Sequence, residues 1–216
     1  MAIGKTAGSL ILAGAAWLSA AQFPVRHTHV RKVCEGTMTI DENGVSFRGL
    51  GKDSWTWKFE DIQELKLGPG GIHLLTYRDS KLRLGADKAY GFTGKIPADE
   101  LYGFLAARMD QRLVFEAAQV PGQPAWSAPV KHLGRIAGSE GTLAFASDSV
   151  VYATAAKGES RTWRYADIDS ISSSGRFQLT INTLEKGFNF QLKQPITEAR
   201  YNDLWLQIEK KNGRIQ

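Results

Sequence analysis

The chain of 216 residues contains a single cysteine, Cys34. One thiol excludes an internal disulfide framework and any zinc site built from several cysteines. The sequence also lacks a run of basic residues, although Lys and Arg outnumber Asp and Glu by 27 to 22 and the net charge is +5. Because the two signs are interleaved along the chain, we expect no nucleic-acid partner, whereas association with an anionic membrane surface stays open.

A phosphate-binding motif is missing as well. Residues 68–71 form the most glycine-rich stretch, but no Lys-Ser/Thr pair follows them. The stretch is therefore predicted to be a turn and not a phosphate loop. We predict no cofactor.

The N-terminal 21 residues differ from the rest of the chain. An uncharged stretch follows Lys5, and Ser19-Ala20-Ala21 supplies the small residues preferred at a signal-peptidase site. Residues 1–21 are predicted to be a signal peptide that is cleaved after Ala21, which gives a periplasmic or secreted protein. The alternative is a retained N-terminal membrane anchor, because basic residues follow the stretch closely and positive charge favours the cytoplasmic side.

The strongest pattern is an internal repeat. Residues 24–47 align with residues 129–152 at a constant offset of 105, and the positions identical in both copies are Pro24, Val25, His27, Glu35, Gly36, Thr37 and Val45. After a change of one residue in length, Trp57–Ile62 aligns with Trp163–Ile168. Self-similarity in the same order indicates duplication of a structural unit. We predict one domain at 22–118 and another at 128–216, separated by a Pro- and Gly-containing linker at 119–127.

Each copy is predicted to contain short antiparallel strands followed by one helix. Apolar residues alternate on both sides of Asp41-Glu42-Asn43-Gly44, which is typical of a hairpin. Further strands are predicted at 62–67, 72–77 and 82–84. A helical period follows Pro97 and Thr197, and its apolar stripes are Leu101, Phe104 and Leu105 in the first copy and Tyr201, Leu204, Trp205 and Ile208 in the second.

This succession of about seven strands and a helix, with Trp-x-aromatic-x-Asp-Ile at Trp57–Ile62 and Trp163–Ile168, resembles the pleckstrin-homology-like (PH-like) domains of bacteria. The resemblance covers residues 24–113 and 128–211, and the doubled layout is similar to that of uncharacterised secreted bacterial proteins. It implies a mainly β fold with two tandem PH-like domains, each a bent antiparallel sheet or open barrel closed by a C-terminal α-helix. It also implies a non-enzymatic binding or scaffold role with a protein or lipid partner.

Candidate contact residues for such a partner are basic or aromatic. Basic side chains concentrate at the start of each copy, where they would meet anionic lipid or an acidic protein face; a solvated strand face is the alternative. Trp55 aligns with Arg161, so we expect it at a domain edge, whereas Trp57 and Trp163 are expected in the core. The predicted contact set is Arg26, Arg31, Lys32, Trp55, Lys131 and Arg135.

An alternative function is a hydrolase or a metal-dependent enzyme that uses His27, His29, Cys34 and Glu35. Histidines two residues apart share one face of a strand, and a thiol beside a histidine is a candidate nucleophile. However, the second copy keeps His27 and Glu35 but replaces Cys34 with Ser and His29 with Gly. Because retention in both copies favours structural roles, we predict no catalytic residue and no metal site.

Overall fold

The computed structural model describes residues 20–28, 33–80, 85–119, 122–134 and 137–215. The first half contains, in chain order, strands β1 (Ala20–Thr28), β2 (Val33–Asp41), β3 (Gly44–Gly49), β4 (Ser54–Trp57), β5 (Ile62–Gly68), β6 (Gly71–Asp79) and β7 (Asp87–Thr93), helix α1 (Ala98–Ala106) and strand β8 (Leu113–Phe115). The second half contains β9 (Trp126–His132), β10 (Ser139–Phe145), β11 (Ser149–Thr154), β12 (Arg161–Arg164), β13 (Ile168–Ser172), β14 (Gln178–Thr183) and β15 (Gly187–Leu192), then helix α2 (Glu198–Lys211). Short 3-10 helices at Phe59–Asp61 and Tyr165–Asp167 precede β5 and β13.

The strands form one open sheet in the order β13-β14-β15-β9-β10-β11-β12-β8-β5-β6-β7-β1-β2-β3-β4. Within each half, seven antiparallel strands follow the same relative order, and a helix comes after the seventh strand. The predicted fold class is confirmed: the protein is mainly β with a C-terminal helix, which is consistent with a PH-like fold. The sheet is not closed into a barrel. Strand β8 joins the halves, because it pairs in parallel with β5 and antiparallel with β12.

Strand register also agrees between the halves. His27 lies opposite Cys34 on β1 and β2, and His132 lies opposite Ser139 on β9 and β10. The register shifts between Ile62 and Glu64 in the first half, and the same shift recurs 106 residues later in β13. The sequence alignment at offsets of 105 and 106 therefore coincides with the observed pairing of strands.

Each half has its own hydrophobic core. The inward residues of β2, β3 and β4 alternate with outward polar ones, as a strand period of two requires. They are Met38, Ile40, Val45, Phe47 and Trp57, and their counterparts are Leu143, Phe145, Val150, Tyr152 and Trp163. Burying each large apolar side chain contributes roughly 1.5–3 kcal/mol. The helices add Leu101 and Leu105 to the first core, and Leu204 and Ile208 to the second.

A turn glycine and a helix N-cap lie where the sequence predicts them. Gly44 ends the β2–β3 turn with φ of 143°, and a Cβ there would lie 2.1 Å from the carbonyl oxygen of Trp57. Helix α2 begins after Thr197, whose hydroxyl oxygen accepts a hydrogen bond from the backbone N of Arg200 at 3.3 Å. Such a cap satisfies one of the unpaired N–H groups of the first helical turn.

Three features differ from the predictions. Strand β7 was not predicted, and the strand predicted at 82–84 lies on undescribed residues 81–84. Trp205 does not belong to the buried stripe of α2: it is 41% exposed, because Leu204 and Ile208, one turn apart, already fill the contact with the sheet. Strand β1 begins at Ala20, so the last two residues of the predicted signal segment pair with β2, and residues 1–19 lie outside the described ranges.

Candidate functional site

The three predicted contact residues that the structure describes, Arg26, Trp55 and Lys131, lie on three different strands. Arg26 lies on β1, where its exposed Nε donates to Glu35 Oε1 at 3.0 Å across to β2. It borders a pocket of about 460 Å³ between β1, β2 and β7. Lys131 is exposed on β9 of the other half. Arg31, Lys32 and Arg135 lie outside the described residues.

Trp55 lies on β4, at one end of the sheet, whereas its counterpart Arg161 lies on the interior strand β12. Its ring is half-buried and stacks on Phe47 with centroids 5.5 Å apart, and His27 meets it edge-on at 5.0 Å. Trp57 and Trp163 lie in the two cores. Trp55 is thus a partly accessible member of an aromatic cluster next to an edge strand.

His27, Cys34 and Glu35, the described residues that an enzyme would use, form hydrogen bonds and ion pairs with other residues of the first half. Buried His27 donates from Nδ1 to the carbonyl oxygen of Gly91 at 2.8 Å. The thiol of Cys34 donates to Asp53 Oδ2 at 3.1 Å. Glu35 pairs with Arg26, and His29 lies outside the described residues.

His132, the counterpart of His27 in the second half, is also buried. Nδ1 of His132 lies 3.5 Å from Glu159 Oε2. Burial and the nearby charge of Lys186 lower the pKa of His132, against an opposing effect of Glu159. A histidine that packs against core aromatics in both halves, with ring centroids of 5.0 Å to Phe92 and 5.3 Å to Phe190, contributes to packing.

Recurring carboxylates cap backbone groups. Asp61 accepts from the backbone N of Lys58 at 3.2 Å, and Asp167 accepts from that of Arg164 at 3.1 Å. Each holds the 3-10 helix that leads into β5 or β13. Glu140 pairs with Lys193 at 2.8 Å, and this hydrogen bond and charge lower the pKa of Glu140.

Ion pairs connect the two halves beside β8. Arg161 of β12 is 5% exposed and holds Glu185 with two hydrogen bonds, each of 3.0 Å. Its Nη2 also reaches Glu116 Oε1 of the first half at 3.2 Å, while Lys66 of β5 reaches Glu185 at 3.3 Å. Burial alone would raise the pKa of Glu185, but Arg161 and Lys66 outweigh it and hold this pKa below its usual value.

A second contact between halves is centred on Arg164. Its guanidinium donates to the carbonyl oxygens of Ala106, at the end of α1, and of Met109 at 3.2 Å. The same guanidinium is held by Asp167 at 2.6 Å, and Gln111 donates to the carbonyl oxygen of Ala166 at 3.1 Å. These bonds fix the C-terminal end of α1 against the second half.

An open cleft of about 900 Å³ lies at this contact and is the candidate functional site. We call it the inter-half cleft, and its lining comes from both halves: Gln63, Tyr77, Ala106, Ala107, Met109, Asp110, Gln111, Arg112, Arg164, Ala166, Asp167, Leu184, Lys211 and Asn212. Gln63 Oε1 is buried and has no hydrogen-bond partner among the described residues. Tyr77 and Leu184 expose more than half of their surface at the rim.

None of these cleft residues was predicted from the sequence as a contact residue. Arg164 and Asp167 carried a signal, since the Trp-x-aromatic-x-Asp-Ile motif repeats, but the corresponding Lys58 in the first copy is exposed. Gln63, Arg112 and Asn212 have no distinguishing pattern. The cleft exists only because β8 brings the two halves side by side.

Two features are absent from the described residues. No group of three or more His, Cys, Asp or Glu side chains is placed there to hold a metal ion. No helix in these ranges is long and apolar enough to span a membrane.

Comparisons with known proteins identify no family. No protein-family model and no curated protein matches the chain. Among solved structures, the chain is similar to the C-terminal domain of an unknown protein from Leishmania infantum, with 15% identity, a TM-score of 0.33, and coverage of 40% of this chain and 84% of that one. It is also similar to the Spt16D Pob3N heterodimer, with 12% identity, a TM-score of 0.33, and coverage of 76% and 83%. These similarities carry no functional inference.

Proposed function

We propose that the protein is a non-enzymatic binding or scaffold module of the bacterial cell envelope that recognises a protein partner in the inter-half cleft. The observation that supports this proposal most is the cleft itself, which is lined by both halves, has Tyr77 and Leu184 exposed at its rim, and contains Gln63 Oε1, an acceptor without a hydrogen-bond partner among the described residues. This oxygen can accept a hydrogen bond from a donor in the cleft, such as a backbone amide of a bound peptide.

Two of the three cations that line the cleft are paired with carboxylates, which favours a peptide-like partner over an anionic headgroup; the third cation is the exposed Lys211. Arg164 is neutralised by Asp167, and Arg112 by Asp110 at 2.8 Å. A phosphate would have to displace these carboxylates, whereas an amide or hydroxyl donor can reach Gln63 without breaking either pair. Exposed apolar surface at Leu184 and Tyr77 provides additional contact area for a protein.

The binding proposal is favoured over the enzymatic alternative by the contacts of the candidate nucleophile. Cys34 faces the carboxylate of Asp53, and the ring of His27 is directed to the carbonyl oxygen of Gly91. A catalytic thiol requires a base that removes its proton and a neighbourhood that stabilises the thiolate.

Localisation in the periplasm or outside the cell is part of the same proposal and rests on Ser19-Ala20-Ala21. Cleavage after Ala21 would leave Gln22 as the first residue of β1, opposite Thr39. The rival form is a chain anchored by its N-terminal segment. Sequencing the N-terminus of the protein recovered from cells distinguishes the two, since the proposal requires Gln22 and the rival requires an uncleaved chain.

Affinity capture from envelope extract, with matched variants, tests the cleft. The immobilised protein, as isolated from cells, is compared with Leu184→Asp, which places a charge on the rim. Phe177→Asp is the control, because Phe177 is 52% exposed, close to the 51% of Leu184, and lies outside the cleft. We expect one specific protein to be retained by the wild type and by Phe177→Asp, and to be reduced at least about tenfold by Leu184→Asp.

Two outcomes would contradict the proposal. Equal retention by both Asp variants would place the contact elsewhere on the molecule. Binding to phosphatidylglycerol vesicles that is lost in an Arg26→Ala, Lys131→Ala double variant, with no protein retained, would favour a lipid partner on the strand faces.

A further inference from the structure

The outermost strands of the sheet, β13 and β4, differ in what binds the backbone groups of their outer edges. At the β13 end, side chains of the C-terminal region bind the strand's carbonyl groups. Asn212 donates to the carbonyl oxygen of Ile168 at 3.0 Å, Arg214 to that of Asp169 at 2.7 Å, and Tyr201 to that of Ile171 at 3.2 Å. A strand edge whose acceptors are already bonded is protected against pairing with another chain.

At the other end, β4 presents backbone groups to the outside. The backbone N of Gly49 donates to the carbonyl oxygen of Asp53 at 2.8 Å, so Gly49 and Asp53 form a hydrogen-bonded pair of the ladder between β3 and β4. In an antiparallel ladder, bonded and non-bonded pairs alternate. The pair of Ser46 with Thr56 is therefore non-bonded, and the N–H and C=O of Thr56 point away from β3. Among the described residues, no strand pairs with this outer side.

In the second half, the counterpart of β4 is β12, and the equivalent side of β12 is paired with another strand. Strand β12 has the same alternation, because Tyr165 N donates to the carbonyl oxygen of Asp148 at 2.9 Å and Val151 lies opposite Thr162. The outward side of Thr162 pairs antiparallel with Phe115 of β8.

The hydroxyl of Thr162 extends this contact along the incoming segment. It donates to the carbonyl oxygen of Ala117 at 2.8 Å and accepts from the backbone N of Gln119 at 2.9 Å. Strand β8 and the residues that follow it, up to Gln119, are thus bound on this side by the backbone and the side chain of one threonine.

Thr56 occupies the position of Thr162, since Trp57 aligns with Trp163. We propose that the edge of β4 binds an extended peptide of a partner protein, antiparallel to β4 and centred on Thr56. Backbone hydrogen bonds to an added strand supply affinity, and alternate side chains supply specificity. The partner residues that flank the position opposite Thr56 lie on the face of Trp55 and Trp57, so we expect them to be apolar.

This site is separate from the inter-half cleft, whose lining includes no residue of β4. Failure of either proposal leaves the other unaffected. The test therefore uses a defined peptide and not an extract.

The probe is a blocked, fluorescein-labelled peptide with the sequence of residues 111–119 carrying Glu116→Val, so that both neighbours of Phe115 are apolar, and it is titrated into the full chain. Saturable binding is expected, together with slower hydrogen exchange at the amides of Ser54 and Thr56. Thr56→Pro removes the outward N–H while leaving the β3 ladder intact, and edge strands tolerate proline. We expect it to weaken binding at least about tenfold, and Thr56→Val, which lacks only the hydroxyl, to weaken it about threefold.

Thr37→Val is the matched control, because Thr37 is an exposed threonine on the interior strand β2. A probe peptide with proline at the position of Phe115 should not bind. Undetectable binding of the original probe, or equal binding to Thr56→Pro, would overturn the proposal. A dimer of the chain that Thr56→Pro dissociates would assign the edge to a second copy and would overturn it too. If Thr56→Pro does not fold, Thr56→Val and the hydrogen-exchange pattern decide.

Discussion

Gly36 and Gly141 allow an aromatic ring to lie directly on the strand backbone. A Cβ on Gly36 would lie 2.4 Å from the carbonyl oxygen of Arg48 and 2.7 Å from the ring of Phe47. A Cβ on Gly141 would meet the carbonyl oxygen of Ala153 at 2.3 Å and the ring of Tyr152 at 2.7 Å. Identity of these glycines in the repeat therefore has a steric cause in both halves.

Alanine at Gly36 should destabilise the protein by about 1–3 kcal/mol, because strand and ring must move apart to accept the methyl group. The measurement is the free energy of unfolding in urea. Gly70→Ala is the control, since nothing lies within 4 Å of a Cβ at that position. Equal unfolding free energies for both variants would show that the ring contact does not constrain Gly36.

At the scale of elements, each half closes the beginning of its fifth strand with a side chain that follows the helix. In the first half, Arg112 Nη1 donates to the carbonyl oxygens of Ile62 at 2.9 Å and Phe59 at 3.3 Å. In the second half, Asn212 Nδ2 donates to that of Ile168, the counterpart of Ile62. Different residues thus satisfy equivalent backbone groups, which the sequence alignment alone does not reveal.

Arg112→Ala should cost about 1–3 kcal/mol of unfolding free energy, because it leaves two half-buried carbonyl oxygens without these donors. Arg112→Lys should recover part of the loss, since an ammonium group can reach one of them. Arg78→Ala on the exposed end of β6 is the control and should be close to wild type. A loss no larger than that of the control would mean that water replaces the guanidinium without cost.

At the scale of the whole molecule, the two cores are separate but their sheet is continuous. Strand β8 supplies the backbone link, and Arg161 with Glu185, Glu116 and Lys66 supplies a largely buried ionic link. Removal of one partner from a buried pair leaves an uncompensated charge, so the link is sensitive to single changes. We therefore expect the two halves to unfold in one transition at neutral pH.

Glu185→Gln should lower the unfolding free energy by about 2 kcal/mol at pH 7, the magnitude of hydrogen bonds to a charged group. The pKa of Glu185 lies below its usual 4.5 in the folded protein. The stabilising contribution of Glu185 is therefore complete above about pH 4.5. It declines as the pH falls through the pKa that Glu185 has in the folded protein, because the unfolded chain takes up the proton first.

The measurement is urea unfolding of wild type and Glu185→Gln between pH 3 and 7. The difference between them should shrink below pH 4.5. Glu60→Gln, which breaks the exposed pair with Lys58, is the control and should leave the transition unchanged at every pH. A difference between wild type and Glu185→Gln that is constant from pH 3 to 7 would contradict the assignment.

The sequence by itself determined what depends on neighbours along the chain and on repetition. The β2–β3 hairpin follows from alternation and Gly44, the start of α2 follows from Thr197, and the core positions of Trp57 and Trp163 follow from their recurrence. Each of these is set by local backbone geometry or by a period, and both are visible in a single sequence.

Only the tertiary structure decided how the halves meet. Strand β8 has three buried apolar residues and no alternation, because both of its edges are paired and both faces are covered. The inter-half cleft, the environment of Gln63 and the pairing of Arg161 with Glu185 depend on that junction. Such contacts join residues far apart in the chain, so neither spacing nor period encodes them.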